Sequence, residues 1–528
     1  MRDFQKPGRS AVYGERGMVA TSHPFASREA ALVLTEGGSA ADAAIAAAAV
    51  LCVAEPQMTG IGGDCFWIHA DAAGAVLACN GSGRTPRGAD ASWYARHNIT
   101  ALEPWSAHAV TIPGAVDAWC RLHAAKGRLP LARLLAPAIR LAEEGCIVHP
   151  RVALDWAFFR DRVARNPAAR AAFTKDGASL RAGDRFANPA LGATLRIIAA
   201  QGRAAFYAGS VAANLTALLR NEGGLHTEED FAAQESEFVE PIRTTYRDHT
   251  ILECPPNGQG MAALIALNIL AQYDLAGTKT GEALRTHLFA EATKLAYAER
   301  NAWCADPGFA DGPLAQRLSA AHARELASQI DPRRAMTAPK PAAIAHRDTV
   351  YLAVVDRDLN AVSFINSIFH GFGSGLFDPK TGVLLHNRGL GFCFDPQHPN
   401  AIGAAKRPMH TIIPGFAFDS LARPWMPFGV MGGQYQASGH AQFIVHVVER
   451  GLDPQQAIEQ PRSFAFDGSL EVESGFDAGV LSELAGFGHK LRPAAEPIGG
   501  AQAIQIDHAR GILIAGSDPR KDGLAIGL

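Results

Sequence analysis

Thr349 is the residue with the most chemistry within reach. It opens the β-branched and aromatic run Thr349-Val350-Tyr351-Leu352-Ala353-Val354-Val355, directly after a proline-bearing stretch from Asp331 to Asp348. The turn Asp356-Arg357-Asp358-Leu359-Asn360 follows, and then a second such run from Ala361 to Ser367. Two runs joined by a loop of this length predict a β-hairpin. If the turn centres on Asp358, Thr349 and Ser367 stand opposite each other with both hydroxyls on one face. A slip of one residue would part them. A cut before Thr349 would create an α-amine beside its own hydroxyl. Such an amine titrates at about 7.7 to 8, so it can act as a general base near neutral pH. Gly432-Gly433, after the apolar run Met426 to Val430, supplies adjacent backbone N–H groups of the kind that hold an oxyanion. On pattern alone, a threonine that merely starts a strand and a plain tight turn are the commoner explanations.

Other chemistries lack their residues. Gly60-Ile61-Gly62-Gly63 has neither the spacing of a dinucleotide loop nor a phosphate-binding lysine. There is no HExxH and no paired Cys/His spacing, so neither a metal nor another cofactor is expected. Gly81-Ser82-Gly83 and Gly373-Ser374-Gly375 do not fit a nucleophile elbow.

The elements that must position Thr349 are legible in outline. Met18 to Ala54 reads as a strand, a helix and an alanine-rich helix from Ala40 that stops at Glu55-Pro56. Cys65 to Ala70 and Ala75 to Cys79 read as strands around a turn at Asp71 to Gly74. Residues 115 to 220 look mainly helical, and a further helical stretch runs from Met261 to about Ile330. After the hairpin, strands are expected to about residue 435, then a helix from Ala437 to Arg450.

Composition narrows the function. The chain has 528 residues, 48% hydrophobic and 19% charged, with a net charge of −3. Wholesale disorder is excluded, and a dedicated nucleic-acid binder would carry a basic surplus. The longest apolar run, Ala43 to Ala54, is too short to span a membrane. The first residues show no apolar signal core, and the eight cysteines are scattered without CxxC spacing. A cytoplasmic protein with reduced thiols is therefore expected. Length alone allows roughly three domains or one large layered body.

With these residues in view, the chain resembles the γ-glutamyltransferase family of N-terminal-nucleophile hydrolases, which cut themselves into a large and a small subunit. The resemblance runs from Gly17 to Arg462. It is carried by Gly37-Gly38-Ser39-Ala40-Ala41-Asp42, Glu55-Pro56-Gln57-Met58-Thr59-Gly60, Pro255-Pro256-Asn257-Gly258-Gln259-Gly260, Phe372-Gly373-Ser374-Gly375, Lys406-Arg407-Pro408 and Gly432-Gly433, in order. It implies an α+β fold, a four-layer αββα sandwich. It also implies cleavage between Asp348 and Thr349, giving a large subunit 1–348 and a small subunit 349–528 within one domain. One such heterodimer, or a pair of them, is the implied assembly. Thr349 falls on the family's nucleophile, Ser367 on the second threonine that hydrogen-bonds it, and Gly432 and Gly433 on the oxyanion-hole glycines.

The departures bear on substrate. The family's arginine for the substrate α-carboxylate is Ser82 here, with Arg84 two residues on as a candidate replacement. The aspartate that binds the substrate amine is Gly391, and the two consecutive serines are His410-Thr411. The asparagine two residues past the second threonine is Phe369. An unpaired ammonium in such a pocket costs several kcal/mol, which disfavours a γ-glutamyl group. Arg388, beside Asn387, offers a bidentate site for a carboxylate. Asp348-Thr349-Val350-Tyr351 with Leu385-His386-Asn387-Arg388-Gly389 resembles the oxamate amidohydrolase branch. The expected substrate is thus a small acid amide such as oxamate, with Arg388, Asn387, His410, Thr411 and Arg84 as candidate binders. The alternatives are a γ-glutamyl hydrolase or transferase, a cephalosporin-type acylase, and an unprocessed relative with a binding role.

Overall fold

The computed structural model describes residues 8–276, 280–310, 312–337 and 349–528. Two seven-stranded antiparallel sheets lie face to face. In the first, the strand order is Leu524–Gly527, Met18–Thr21, Val350–Val355, Ala361–Ser367, Asp64–Ala70, Val76–Gly81 and Glu237–Val239. In the second it is Val12–Gly14, Ile512–Ser517, Gly500–Asp507, Pro424–Met431, Gly415–Phe418, His249–Glu253 and Ile242–Tyr246. Met18, Phe66, Tyr351, Ile365, Phe416, Met431 and Ile504 fill the space between the sheets.

The two-residue period of each strand explains the layering. In Val350–Val355 the even residues Val350, Leu352 and Val354 pack outward against helices, and the odd residues Tyr351, Ala353 and Val355 pack inward against the second sheet. The outer face of the first sheet is covered by Pro24–Thr35, Ala40–Ala54 and Ala115–Lys126, and that of the second by Gly260–Leu270, Glu282–Trp303 and Gln436–Val448. The result is the expected αββα sandwich. Length had also allowed several separate domains, but both sheets draw strands from both ends of the chain.

Ala40–Ala54 is buried along its whole length. Small side chains let it lie close to the hairpin strands. Ser39 and Asp42 form a capping box at its start. Its first amide, of Ala40, donates to Asp356 Oδ2 at 3.1 Å, which ties the helix to the hairpin turn.

The hairpin has the register derived from its turn. Val350 pairs with Asn366 and Val355 with Ala361, a ladder symmetric about Asp358. Asp356 Oδ1 accepts the amides of Asp358 and Asn360, each at 3.0 Å. Leu359 takes a left-handed φ of 61°, a conformation glycine adopts more easily, and the turn holds its register regardless. Between Leu385 and Ile413, where strands were expected, the chain runs mostly without regular structure. Gly500–Asp507 and Ile512–Ser517, in contrast, form a hairpin beyond the strands expected from the sequence.

Candidate active site

Three neighbouring strands of the first sheet bring polar residues into one row. Thr349 comes one residue before the hairpin's last ladder pair, Val350 with Asn366, and so lies beside Ser367, which is in turn the cross-strand partner of Asp64. All three sit at the end of the space between the sheets, and all are buried. Thr349 Oγ1 donates to Ser367 Oγ at 3.2 Å. Ser367 Oγ also accepts the amide of Phe369 at 3.0 Å.

The second sheet closes the site. Pro424–Met431 runs into Gly432 and Gly433, with φ of 126° and 58°. A Cβ on Gly432 would lie 2.8 Å from Gly499 Cα, so close approach of backbone as well as φ demands glycine there. The helix Gln436–Val448 begins immediately after, so its positive end faces the site. Gln436 Nε2 donates to Thr349 Oγ1 at 3.3 Å. The turn is braced from behind: Gln259 Nε2 donates to Gly433 O at 3.1 Å and to Thr411 O at 2.7 Å.

Arg388 lies in the short helical turn Arg388–Gly391 and is fully buried. Its Nη1 donates to Thr411 Oγ1 at 2.9 Å and its Nη2 to Ser367 Oγ at 3.4 Å. The guanidinium carbon stands 4.2 Å from the Phe369 ring centre, stacked over its face. Phe369 holds a φ of 76°, an unfavourable conformation for an aromatic residue and one found where surrounding contacts fix it. Burial pulls the Arg388 pKa down to about 9, with Asp64 pulling it back up, so the group is a cation at neutral pH.

Asp64 organises the charge. Its Oδ2 lies 2.9 Å from His410 Nε2, 3.3 Å from His386 Nδ1 and 3.6 Å from Arg388 Nε. Its Oδ1 accepts the Gly83 amide at 3.1 Å. Burial alone would raise this carboxyl, but His386 and His410 hold it well below the usual carboxylate range. Burial and the nearby Arg388 press His410 down to about 3, so its ring is neutral. Because His410 Nδ1 accepts the Ile412 amide at 3.3 Å, the proton sits on Nε2 and is donated to Asp64.

The candidate binders thus divide. Arg388 and Thr411 join the Thr349–Ser367 pair. His410 spends both ring nitrogens on Asp64 and Ile412, one layer back. Asn387 braces a loop, donating to Pro104 O at 2.9 Å and accepting the His370 amide at 3.3 Å. Arg84 stands apart, with Nη1 3.1 Å from Asp306 Oδ2 and Nη2 2.9 Å from Glu237 Oε1. Asp348 lies outside the described residues. Asp64, His386 and Gln436 were missed. Asp64 had no such signal, because Asp64–Ala70 and Ala361–Ser367 are far apart in the chain and no turn fixes their register; Gln436 had no signal beyond its nearness to the Gly-Gly pair.

Among the described residues one group of potential metal ligands converges, His287, Glu291 and His489, with ligand atoms within 4.8 Å of one another. Its atoms are already matched within the protein. His287 Nδ1 and His489 Nε2 are 2.8 Å apart, His287 Nε2 meets Asp331 O at 2.9 Å, and the Lys294 ammonium lies 2.6 Å from Glu291 Oε1. The cluster reads as a polar clamp on the chain around Asp331. No helix among the described residues is long and apolar enough to cross a membrane.

A hydroxyl pair at a strand end, facing a Gly-Gly turn across two stacked sheets, is the geometry of an N-terminal-nucleophile hydrolase. Comparison with known proteins agrees. The gamma-glutamyltranspeptidase family profile matches residues 26–528, and the chain belongs to that family of proenzyme hydrolases. It is 36% identical to the glutathione hydrolase-like YwrD proenzyme of Bacillus subtilis (strain 168), over 98% of this chain and 99% of that one. It is 35% identical to the oxamate amidohydrolase proenzyme of Klebsiella pneumoniae subsp. pneumoniae, with the same coverage. The crystal structure of a cephalosporin acylase from Bacillus halodurans superposes with a TM-score of 0.93 at 38% identity, covering 100% of this chain and 99% of that one.

Proposed function

We propose that this hydrolase cuts itself between Asp348 and Thr349 and then hydrolyses a small amide that carries a carboxylate and no α-amine, with oxamate as the prototype and oxalate and ammonia as products. Thr349 is the nucleophile, Ser367 its hydrogen-bond partner, and Gly432 and Gly433 the oxyanion hole. Subunits 1–348 and 349–528 remain together in one domain.

The observation that carries this substrate class is Arg388, a buried cation whose Nη atoms reach Thr411 and Ser367 at the nucleophile. Its guanidinium suits a carboxylate held next to the reacting carbonyl. The counterpart for an amine is not merely missing. A Cβ on Gly391 would come within 2.5 Å of Met409 O, so the backbone there leaves no room for a carboxylate side chain. Arg84, bound to Asp306 and Glu237, supports a structural role for itself.

In the proposed reaction the α-amine of Thr349 takes the Oγ1 proton as Oγ1 bonds to the substrate carbonyl. It hands the proton to the departing amide nitrogen as the C–N bond breaks. Water then opens the ester. All eight cysteines are free thiols, which supports a reducing, cytoplasmic setting.

The test compares ammonia release from oxamate with cleavage of a γ-glutamyl anilide and of a glutaryl amide. Oxamate hydrolysis well above the other two is expected. Turnover of the anilide alone would overturn the substrate class. Turnover of the glutaryl amide alone would keep Arg388 as the carboxylate anchor and move the acyl group to the longer, acylase type.

A further inference from the structure

Gln436 touches the proposed nucleophile and belongs to no role assigned above. It is buried, and it is the first residue of the helix Gln436–Val448. Its side-chain oxygen accepts the Ile413 amide at 3.1 Å. A backbone N–H can only donate, so this contact fixes which end of the side-chain amide is oxygen. The NH2 end therefore faces Thr349 Oγ1, at 3.3 Å. On its other side Thr349 Oγ1 donates to Ser367 Oγ. The reactive oxygen thus has an acceptor for its proton on one side and a fixed N–H donor on the other.

We propose that Gln436 is a further catalytic residue, the donor that stabilises Thr349 Oγ1 whenever that oxygen carries negative charge, a role that presupposes Thr349 as the nucleophile. Such charge develops four times, twice in self-cleavage and twice in substrate hydrolysis. In self-cleavage Oγ1 bonds to the Asp348 carbonyl carbon and the C–N bond breaks. The Oγ1 proton ends on the nitrogen that becomes the α-amine, and water then opens the Asp348 ester, its hydroxyl staying with the new carboxyl and its proton returning to Oγ1 as the C–Oγ1 bond breaks. In hydrolysis Oγ1 loses its proton to that amine as the acyl bond forms. In the last step water adds to the ester and the C–Oγ1 bond breaks. The hydroxyl of that water stays with the acid, and its proton returns to Oγ1. A donor held in place before reaction costs no reorganisation at each passage. The helix start contributes in the same sense, because its positive end lies behind the same side chain.

Two substitutions separate this role from a structural one. Gln436→Glu keeps an oxygen for the Ile413 amide and replaces the N–H donor with a group that donates only when protonated. Gln436→Met keeps the volume and removes both contacts. Self-cleavage is followed as the fraction of cut chain over time on denaturing gels, from about pH 5 to about pH 9, which requires no substrate. The expected result for Gln436→Glu is a rate, relative to the parent, that falls at least about tenfold as pH rises through the carboxyl titration. Gln436→Met should be slower by about 10² at every pH, in line with the loss of one oxyanion donor. A Gln436→Glu to parent ratio that stays flat with pH, or a Gln436→Met variant that cuts at the parent rate, would overturn the proposal. Cleavage of a Thr349→Ala chain would instead overturn the choice of nucleophile, so the two failures are distinguishable.

Discussion

Thr349 Oγ1 and Ser367 Oγ stand 3.2 Å apart because their strands pair in a ladder symmetric about Asp358. The contact is thus a property of the register. A second ladder, of Ala361–Ser367 with Asp64–Ala70, places Asp64 on the far side of Ser367, so two adjacent ladders set the proposed nucleophile, its partner and the counter-charge in one row.

Removing the Thr349 hydroxyl tests its part in that row. Thr349→Ala is expected to migrate as one band near the full 55.9 kDa, without activity. The parent should give fragments of about 37 and about 19 kDa, in proportion to 348 and 180 of its 528 residues. N-terminal sequencing of the smaller fragment should read Thr-Val-Tyr-Leu. A start elsewhere would mean that another residue is the nucleophile.

Arg388 anchors the substrate in the proposed reaction without touching the scissile bond. Arg388→Lys keeps a positive charge beside Asp64 but loses the fork. A charged hydrogen bond is worth about 1.5–3 kcal/mol, so kcat/KM for oxamate should fall by about 10- to 150-fold. Neutral amides of similar size should lose much less. Equal losses for neutral and anionic amides would show that Arg388 is not a carboxylate site.

Much of this site was legible before the structure. Thr349 and Ser367 were within reach because a hairpin with a short polar turn fixes register, and register fixes faces; the Gly-Gly pair stood out as adjacent glycines closing the apolar run Met426 to Val430. Ala40–Ala54 was legible from its unbroken small apolar run. The region around Arg388 was not, because irregular backbone has no period to read. It is held by side chains from far away in sequence, as where Asn387 meets Pro104 and His410 meets Asp64. Arg84 shows how distant partners decide what a side chain does. It has the right chemistry two residues from the expected place, yet Glu237 and Asp306, distant in sequence, claim its guanidinium.

Acid should destabilise the fold through its buried histidines. Burial holds His23, His370, His410 and His446 near 3 in the folded state, against about 6.5 when unfolded. Between those values the unfolded chain binds protons that the folded chain does not. Stability is therefore full above about pH 6.5 and falls as pH drops toward 3. Each such histidine removes up to about 1.4 kcal/mol per pH unit within the window. Urea midpoints at about pH 7.5 and about pH 5 check the sign, and a midpoint that is unchanged or higher at the lower pH would refute it.

Gly391 should resist any side chain. Its Cβ would meet Met409 O at 2.5 Å and Pro408 Cβ at 3.2 Å, so backbone must shift to admit even a methyl group. Gly391→Ala is expected to cost about 1–3 kcal/mol, visible as a lower Tm. Gly391→Asp should cost more and should confer no γ-glutamyl hydrolysis. Gain of that activity with an unchanged Tm would show that the backbone gives way there.

Asp64 offers the sharpest test of the charge arrangement. Its carboxylate accepts from His410 and Gly83 and lies 3.6 Å from Arg388 Nε, all in a buried setting. Asp64→Asn preserves shape but leaves the Arg388 cation without its counter-charge. Breaking one side of a buried pair costs about 3–5 kcal/mol, because the remaining charge stays desolvated. A fall of that size in unfolding free energy is expected. Asp64→Asn combined with Arg388→Met removes both charges, so it should recover a large part of the loss while remaining inactive on oxamate. If the double variant were no more stable than Asp64→Asn alone, the two charges would be uncoupled, and Asp64 would matter only for His386, His410 and the Gly83 amide.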